Sequence, residues 1–171
     1  MARAVFYSFH YKPDNWRASK VRQMGALEGN QLLSDNDWED VTSGGEQAIK
    51  NWIAEQMRGK LCEVVLIGAS TAGRKWVKYE IEKAWDDRKG VVGVYIHNLL
   101  DSSGRSSSKG ANPFGGVARQ GRYLSSIVKA YDPPYVTSTF VYEHIRDNVA
   151  EWVEEAIQIR AKSLTSWMTH A

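Results

Sequence analysis

Apolar residues fall into short runs along this chain, and longer amphipathic stretches separate the runs. Runs that are apolar over most of their length predict strands buried on both faces of a sheet. The amphipathic stretches place apolar residues at helical spacing, which predicts helices packed on that sheet. Strands are expected at residues 4–9, 61–67 and 91–96, short strands at 31–33 and 135–139, and helices at 16–24, 46–57, 70–88 and 140–162.

Turn and capping residues set the expected boundaries of these elements. The sequence Lys-Pro-Asp-Asn at 12–15 predicts a turn, after which Asp14 or Asn15 would cap the first helix. Ser70 or Thr71 would cap the third helix, and Gly90 would end it.

Strands and helices alternate, which predicts a parallel sheet with helices on both faces. A chain of 171 residues has room for one sizeable core, and 43% apolar and 25% charged residues are ordinary values for a globular protein. We therefore expect one α/β domain over residues 1–171, with a flavodoxin-like, doubly wound, mainly parallel sheet.

Net charge, cysteine content and apolar runs indicate which partners and which cellular location to expect. A net charge of +2 is too small to indicate a nucleic-acid partner by itself. Cys62 is the single cysteine, and its place inside a strand predicts a small buried apolar side chain. The sequence contains neither a membrane-length apolar run nor a signal-peptide pattern, so a cytoplasmic location is expected.

Residues 101–121 differ in composition from the rest of the chain. This stretch holds five serines and five glycines, and its cations, Arg105, Lys109 and Arg119, outnumber its one acid, Asp101. It is predicted to be a long, mobile, basic loop. A second polar loop, at 34–40, has alternating acids but lacks the glycine and closing glutamate of a calcium-binding loop, so a solvated loop is expected there.

The common catalytic motifs are missing from the sequence. It contains no GxxxxGK[ST], GxGxxG, GxSxG, HExxH or paired CxxC. The four histidines are scattered, so neither a metal centre nor a bound cofactor is expected.

Candidate chemistry instead gathers where the predicted strands end. The carboxyl ends of parallel strands meet at one edge of a sheet, and ligands of open α/β sheets bind there. A helix start at Ser70 or Thr71 would favour an anion such as a pyrophosphate. Arg74 and Lys75, in the next residues, suit either an anionic ligand or a solvated surface. The polar residues expected at this edge are Ser8, His10, Ser70, Thr71, His97 and Asn98.

Glu80 lies four residues after Trp76, so both side chains are expected at the edge of the buried face of the third helix. A carboxylate there could bind ribose hydroxyls or stabilise the cation that forms when an N-glycosidic bond breaks. The alternative is an ordinary surface salt bridge between Glu80 and Lys83.

Four sequence blocks resemble the TIR-like proteins of the bacterial Thoeris anti-phage defence system. The blocks are residues 5–11, 37–40, 74–81 (RKWVKYEI) and 108–114. The resemblance implies a TIR-like fold and an enzyme, an NAD glycohydrolase or ADP-ribosyl cyclase, that cleaves NAD as substrate and uses no other cofactor. The product implied is a cyclic ADP-ribose isomer or a related ADP-ribose conjugate, which signals to a separate effector protein.

The resemblance also implies roles for individual residues. Glu80 matches the catalytic glutamate of the WxxxE pattern. Phe6, Ser8 and His10 match the loop after the first strand, and Trp38 and Trp76 match aromatic positions near the nucleotide. Self-association and a phage-derived trigger are further expectations that the resemblance carries.

Lys109 or Arg105 of the basic loop is expected near phosphate, with the loop as a lid that excludes water. Two other functions share the fold. A non-catalytic TIR-type interaction module would not need Glu80. A phosphoacceptor domain would need an aspartate at a strand end, which none of the main predicted strands supplies.

Overall fold

The structure is a computed structural model that describes residues 2–30 and 40–169. The strands in that part of the chain are β1 (Ala4–Ser8), β2 (Glu28–Gly29), β3 (Cys62–Ile67), β4 (Gly90–Tyr95), β5 (Ala118–Arg119), β6 (Arg122–Tyr123) and β7 (Ala130–Tyr131). The main helices are α1 (Tyr11–Gln23), α2 (Gly45–Met57), α3 (Lys75–Asp86) and α4 (Ser138–Thr169). The strand expected at 31–33 lies outside the described residues, as does nearly all of the polar loop at 34–40.

Five of the strands form one sheet in the order β2-β1-β3-β4-β7, with every neighbouring pair parallel. This is the flavodoxin-like order, in which the chain moves outward in one direction from β1 and then in the other from β3. The expected doubly wound α/β fold is therefore confirmed. β5 and β6 form a separate antiparallel pair.

Alternate residues of each strand face opposite layers of helices, as the period of a β-strand requires. Val5 and Tyr7 lie in the apolar cluster that α1 and α4 cover. Phe6 lies in the cluster that α2 and α3 cover. The predicted apolar face of α4 is buried, as are all six residues of β3, including Cys62. None of the helices in the described ranges has the length and apolar character of a membrane-spanning segment.

α1 begins five residues earlier than expected, because residues 12–15 are helical rather than a turn. His10 is the N-cap, so Pro13 falls in the first helical turn. A proline is tolerated there because the first N–H groups of a helix have no partner within the helix. Neither Asp14 nor Asn15 is the cap, and Asp14 is instead buried.

The junction before α3 also differs from the prediction. Thr71 to Gly73 form a 3-10 turn, and Arg74 is the N-cap of α3 without a side-chain cap. Thr71 Oγ1 accepts a hydrogen bond from the Gly68 N–H at 2.8 Å, so it stabilises the turn and does not cap the helix. Gly90 does not end α3 but begins β4, and Arg88 takes the left-handed conformation at the helix end, with a φ of 65°.

The strand expected at 135–139 is wrong. Pro133 and Pro134 have no N–H to pair with a neighbouring strand, so the edge strand β7 ends before them. The Val141 N–H already donates to the Thr137 carbonyl at 3.0 Å, and α4 begins at Ser138. The β-branched residues at 136 and 137 gave a strand-like pattern that the approaching helix overrides.

Gly90 is required where α4 crosses the sheet. A Cβ atom at this position would lie 2.8 Å from the Ile157 backbone nitrogen and 2.9 Å from the Ala156 carbonyl carbon. Because both are main-chain atoms of a helix, neither can move aside as a side chain would.

Gly90→Ala is therefore expected to lower the free energy of unfolding by about 1–3 kcal/mol, as overpacking does in other cores. Urea denaturation followed by circular dichroism measures this change. Gly115→Ala is the matched control, since a Cβ there meets no atom within 4 Å. Equal stability of the two variants would contradict the close approach of α4 to β4.

Candidate functional site

α3 buries Glu80 against the sheet. Glu80 is 8% exposed and belongs to the inward face of the helix, together with Val77, Ile81 and Ala84. The surface salt bridge to Lys83 is excluded, because Lys83 Nζ pairs with Asp87 Oδ2 at 2.9 Å. Glu80 is therefore an enclosed carboxyl group and not a solvated one.

Ser8 lies beneath the Glu80 carboxyl group. It is the last residue of β1, is 1% exposed, and faces the same side of the sheet as Phe6. Its hydroxyl group interacts with the Glu80 carboxyl group and favours the charged form. The contact is a loose one, since Ser8 Oγ has no hydrogen-bond partner of ordinary geometry among the described residues. The hydroxyl group can therefore reorient toward a ligand or toward Glu80.

Burial dominates the electrostatics of this carboxyl group. Loss of hydration raises the pKa of Glu80 from an ordinary value of 4.5 to about 8, and the Ser8 hydroxyl group lowers it in part. At neutral pH, Glu80 is therefore largely protonated. A cationic group that approached it would restore the carboxylate.

A second carboxyl group, Glu63 of β3, lies in the same layer. It pairs in register with Phe6 of β1 and is fully buried. Burial and then the nearby Glu80 raise the pKa of Glu63 well above its ordinary range. Sequence analysis missed this residue, although one charged residue inside an apolar strand was the signal that could have identified it.

Aromatic rings lie near Glu80 both at the start of α3 and in the core beneath it. Trp76 is partly buried at the start of α3 and packs edge-on against Tyr79, with ring centroids 5.5 Å apart. Phe6 is 1% exposed and packs against Trp52, so the structure places it in the core below the site. Trp38 lies outside the described residues.

His10 and Ser70 meet at the rim, as the parallel sheet predicts for residues after β1 and β3. His10 Nδ1 and Ser70 Oγ form a hydrogen bond of 3.0 Å. Partial burial, and then the charge of Arg74, lower the pKa of His10, so the ring is neutral at pH 7. The pair offers neutral hydrogen-bonding groups to a ligand at this edge.

Asn98 and Lys109 lie farther along the same edge, beyond β4. Lys109 Nζ pairs with Asp132 Oδ2 at 2.9 Å and lies 4.7 Å from the centre of the Tyr95 ring. Asn98 lines a cleft of about 490 Å³ with residues 132–137 and Phe140. Sequence analysis missed Asp132, whose carboxylate neutralises the cation expected to meet phosphate.

Lys75 and Arg74 also have environments that the sequence left open. Lys75 pairs with Glu46 of α2, and its ammonium group lies 5.1 Å from the centre of the Trp76 ring. Arg74 is exposed at the N-cap of α3. The contacts of Lys75 thus link α3 to α2 and do not require an anionic ligand.

The basic loop is attached to the fold at several points. Arg17, buried in α1 beside Asp14, donates to the carbonyl oxygens of Leu99 and Arg105, each at 2.7 Å. The Ser107 N–H donates to the His97 carbonyl at 2.8 Å. The mobility expected of residues 101–121 stays a prediction.

Gly110 carries the loop over the end of β3. A Cβ atom on Gly110 would lie 2.1 Å from the Gly68 carbonyl oxygen and 2.9 Å from that of Ala69. The loop backbone therefore contacts the strand end directly.

Among the described residues, no three histidine, cysteine or acidic side chains converge as metal ligands would.

Sequence comparison places this geometry in a known family. The family described as "Thoeris protein ThsB, TIR-like domain" matches residues 6–101, which is 96 of the 171 residues. The chain belongs to this family. The matched residues begin within β1 and extend past the end of β4, so they include Ser8, Glu63 and Glu80.

A curated relative is 34% identical over 119 residues. It is a Bacillus cereus (strain MSX-D12) protein named "Putative cyclic ADP-D-ribose synthase ThsB1". The aligned region is 67% of this chain but 62% of the relative, so the chain spans less than two thirds of that protein. Membership of the ThsB family and the flavodoxin-like TIR-like fold are thereby established.

The raised pKa of Glu80 has a consequence for stability. The unfolded chain ionises this carboxyl group near pH 4.5, whereas the folded protein retains the proton up to about pH 8. Because the folded state binds more protons between those values, this group lowers the free energy of unfolding as the pH rises through that window.

Glu80→Gln should therefore match the wild type in stability near pH 4.5 and exceed it by a few kcal/mol near pH 8. Thermal unfolding across the pH range measures the difference. A difference between Glu80→Gln and the wild type that stays constant with pH would argue against a buried, protonated carboxyl group.

Proposed function

We propose that this protein cleaves NAD between nicotinamide and ribose, and that it makes a cyclic ADP-ribose isomer or a related ADP-ribose conjugate. The observation that carries the proposal is the enclosed carboxyl group of Glu80, next to Ser8 at the carboxyl edge of a parallel sheet. The name of the ThsB1 relative supports the same reaction class.

The first step is loss of nicotinamide. The ring nitrogen of nicotinamide is cationic in NAD and becomes neutral on leaving, so strong acid catalysis is not needed. Positive charge then develops on the ribose, and the Glu80 carboxylate stabilises it. The approach of the nicotinamide cation favours ionisation of Glu80, which is 8% exposed and releases its proton to water, so the carboxylate forms before the bond to nicotinamide breaks. The Ser8 hydroxyl group can donate a hydrogen bond to this carboxylate or to a ribose oxygen.

The second step decides the product. A hydroxyl group or ring nitrogen of the same nucleotide attacks the ribose cation and gives a cyclic product, whereas water gives linear ADP-ribose. Cyclisation therefore requires the exclusion of water. The loop that Gly110 carries over the end of β3 is in a position to provide this exclusion.

In the wider system, we propose that the product is a second messenger in anti-phage defence, received by a separate effector protein. A phage-derived trigger and self-association of the chain would set when the enzyme is active. Family membership supports the defence context.

Glu80→Gln should reduce nicotinamide release from NAD by at least about a hundredfold, since one well-placed electrostatic contact contributes that much in other enzymes. Chromatography of nicotinamide, with and without phage lysate, measures the rate. Glu82→Gln is the matched control on the same helix, because Glu82 pairs with Arg119 away from Ser8. Full activity in Glu80→Gln, or no release by the wild type under either condition, would reject the proposal.

An interaction module without catalysis is the second candidate, and one observation favours it. Tyr135, Val136 and Phe140 are apolar yet 44%, 83% and 53% exposed, and they line the cleft beside Asn98. If assembly through this surface were the whole function, Val136→Asp would abolish phage protection while Glu80→Gln would leave it intact. The reverse pattern supports the enzyme.

Gly110→Ala tests the role of the loop in product choice. The added methyl group clashes with the main chain of Gly68 and Ala69, so the loop must move away from the strand end. The fraction of linear ADP-ribose should rise at the expense of the cyclic product, as mass spectrometry would show. Gly116→Ala, in open space, should leave the ratio unchanged. An unchanged ratio in a folded Gly110→Ala protein would show that the loop does not exclude water.

A further inference from the structure

Glu63 is a carboxyl group without a polar partner in the core. It is 0% exposed, and neither of its carboxyl oxygens has a hydrogen-bond partner among the described residues. An ionised carboxylate in such surroundings is strongly disfavoured, so Glu63 holds a proton. A protonated carboxyl group carries one O–H donor, and in this structure that donor is unused.

Within the described residues, Glu80 is the titratable group whose charge acts on Glu63. The neighbours of Glu63 in the sheet are Phe6 on β1 and Val91 on β4, and both are apolar. The buried residues of α2 are Ile49, Ile53 and Met57. On α3 the buried set is Val77, Glu80, Ile81, Ala84 and Trp85, in which Glu80 alone can ionise near neutral pH.

The two carboxyl groups are not equivalent in their surroundings. Two carboxylates in a low-dielectric layer repel each other, so a close pair loses its second proton only with difficulty. Glu80 has the Ser8 hydroxyl group beside it and is 8% exposed. Glu63 is 0% exposed, and its carboxyl oxygens have no hydrogen-bond partner among the described residues. The charge of the pair therefore resides on Glu80, and the remaining proton resides on Glu63.

We propose that Glu63 is a positioning residue that keeps its proton and donates a hydrogen bond to Glu80 when Glu80 ionises. This inference rests on the proposed NAD-cleaving function and adds a second carboxyl group to that site. Glu63 lies too deep to contact substrate, so it acts through Glu80, by fixing the orientation of the carboxylate and stabilising its charge. The proton stays on Glu63 throughout.

The alternative is that Glu63 is only a structural residue of β3. An apolar side chain of similar size would then serve better, since a buried carboxyl group without a partner destabilises a fold. Glu63→Leu removes the donor and improves the apolar packing. Glu63→Gln retains the shape and an N–H donor but cannot ionise.

The experiment compares these two variants in kcat, KM for NAD, thermal stability and pH profile. Glu63→Leu should keep or raise the unfolding temperature yet lose about tenfold in kcat, the effect of one missing hydrogen bond in a transition state. Its rise in kcat with pH should also move to higher pH, because Glu80 loses a group that stabilises its charge. Glu63→Gln should retain kcat within about threefold, and KM should be unchanged in both variants.

Two outcomes would overturn the proposal: full kcat in Glu63→Leu, or equal loss of kcat in a folded Glu63→Gln. Infrared spectroscopy tests the proton without using turnover. In Glu80→Gln, a protonated carboxyl band should persist at about pH 9 and disappear in the Glu63→Gln, Glu80→Gln double variant.

Absence of that band in Glu80→Gln overturns the proposal, whatever the NAD chemistry and even if Glu63→Leu does not fold. If the band is present but the wild type releases no nicotinamide, the proposed function fails, and with it the positioning role, while the proton on Glu63 is upheld.

Discussion

A carboxyl group that packs against the face of a β-sheet loses most of its hydration, and its charged form becomes costly. In this protein that condition is met by Glu80 on α3, over Ser8 of β1. The same burial that disfavours the Glu80 anion on its own makes it a strong electrostatic partner for a cation that enters the site. The position of α3 on the sheet therefore governs both the stability of the fold and the chemistry available at its edge.

Ionic contacts from two neighbouring elements hold that arrangement in place. α3 is linked to α2 by Lys75 and Glu46, and to β5 by Arg119, which pairs with Glu82 and Asp86. Trp76 and Tyr79 of α3 itself pack against each other and against the core. Ionic contacts of this kind contribute little stability singly. Together they fix the height and rotation of α3 over the sheet, and the buried face of α3 carries Glu80.

Periodicity sufficed for the three central strands and most helix faces, because burial of apolar side chains decides both. It did not predict the two-residue edge strands at 28–29 and 130–131, which are too short to show a period. Periodicity did not identify a single polar residue that is buried within an otherwise apolar face. Glu80 was placed at the edge of the buried stripe and proved to be within it. Glu63 did not change the apolar character of β3, so it passed unnoticed. Pro13 suggested a turn although a first helical turn accepts proline. The pairing of Lys109 with Asp132 depends on the tertiary path of the loop, which local sequence does not encode.

The attachment of the loop to α1 has a consequence for how its sequence can vary. Arg17 contacts the carbonyl oxygens of Leu99 and Arg105, which every residue type possesses. The exposed side chains of Ser102 and Ser103 are therefore open to replacement, provided that the backbone path is kept. Asp101 is not, because its carboxylate accepts hydrogen bonds from the Ser103 and Arg105 N–H groups and lies 3.8 Å from Arg17. An insertion or deletion there would displace one carbonyl oxygen from the guanidinium group. In this segment the number of residues is therefore under structural constraint, as is the identity of Asp101.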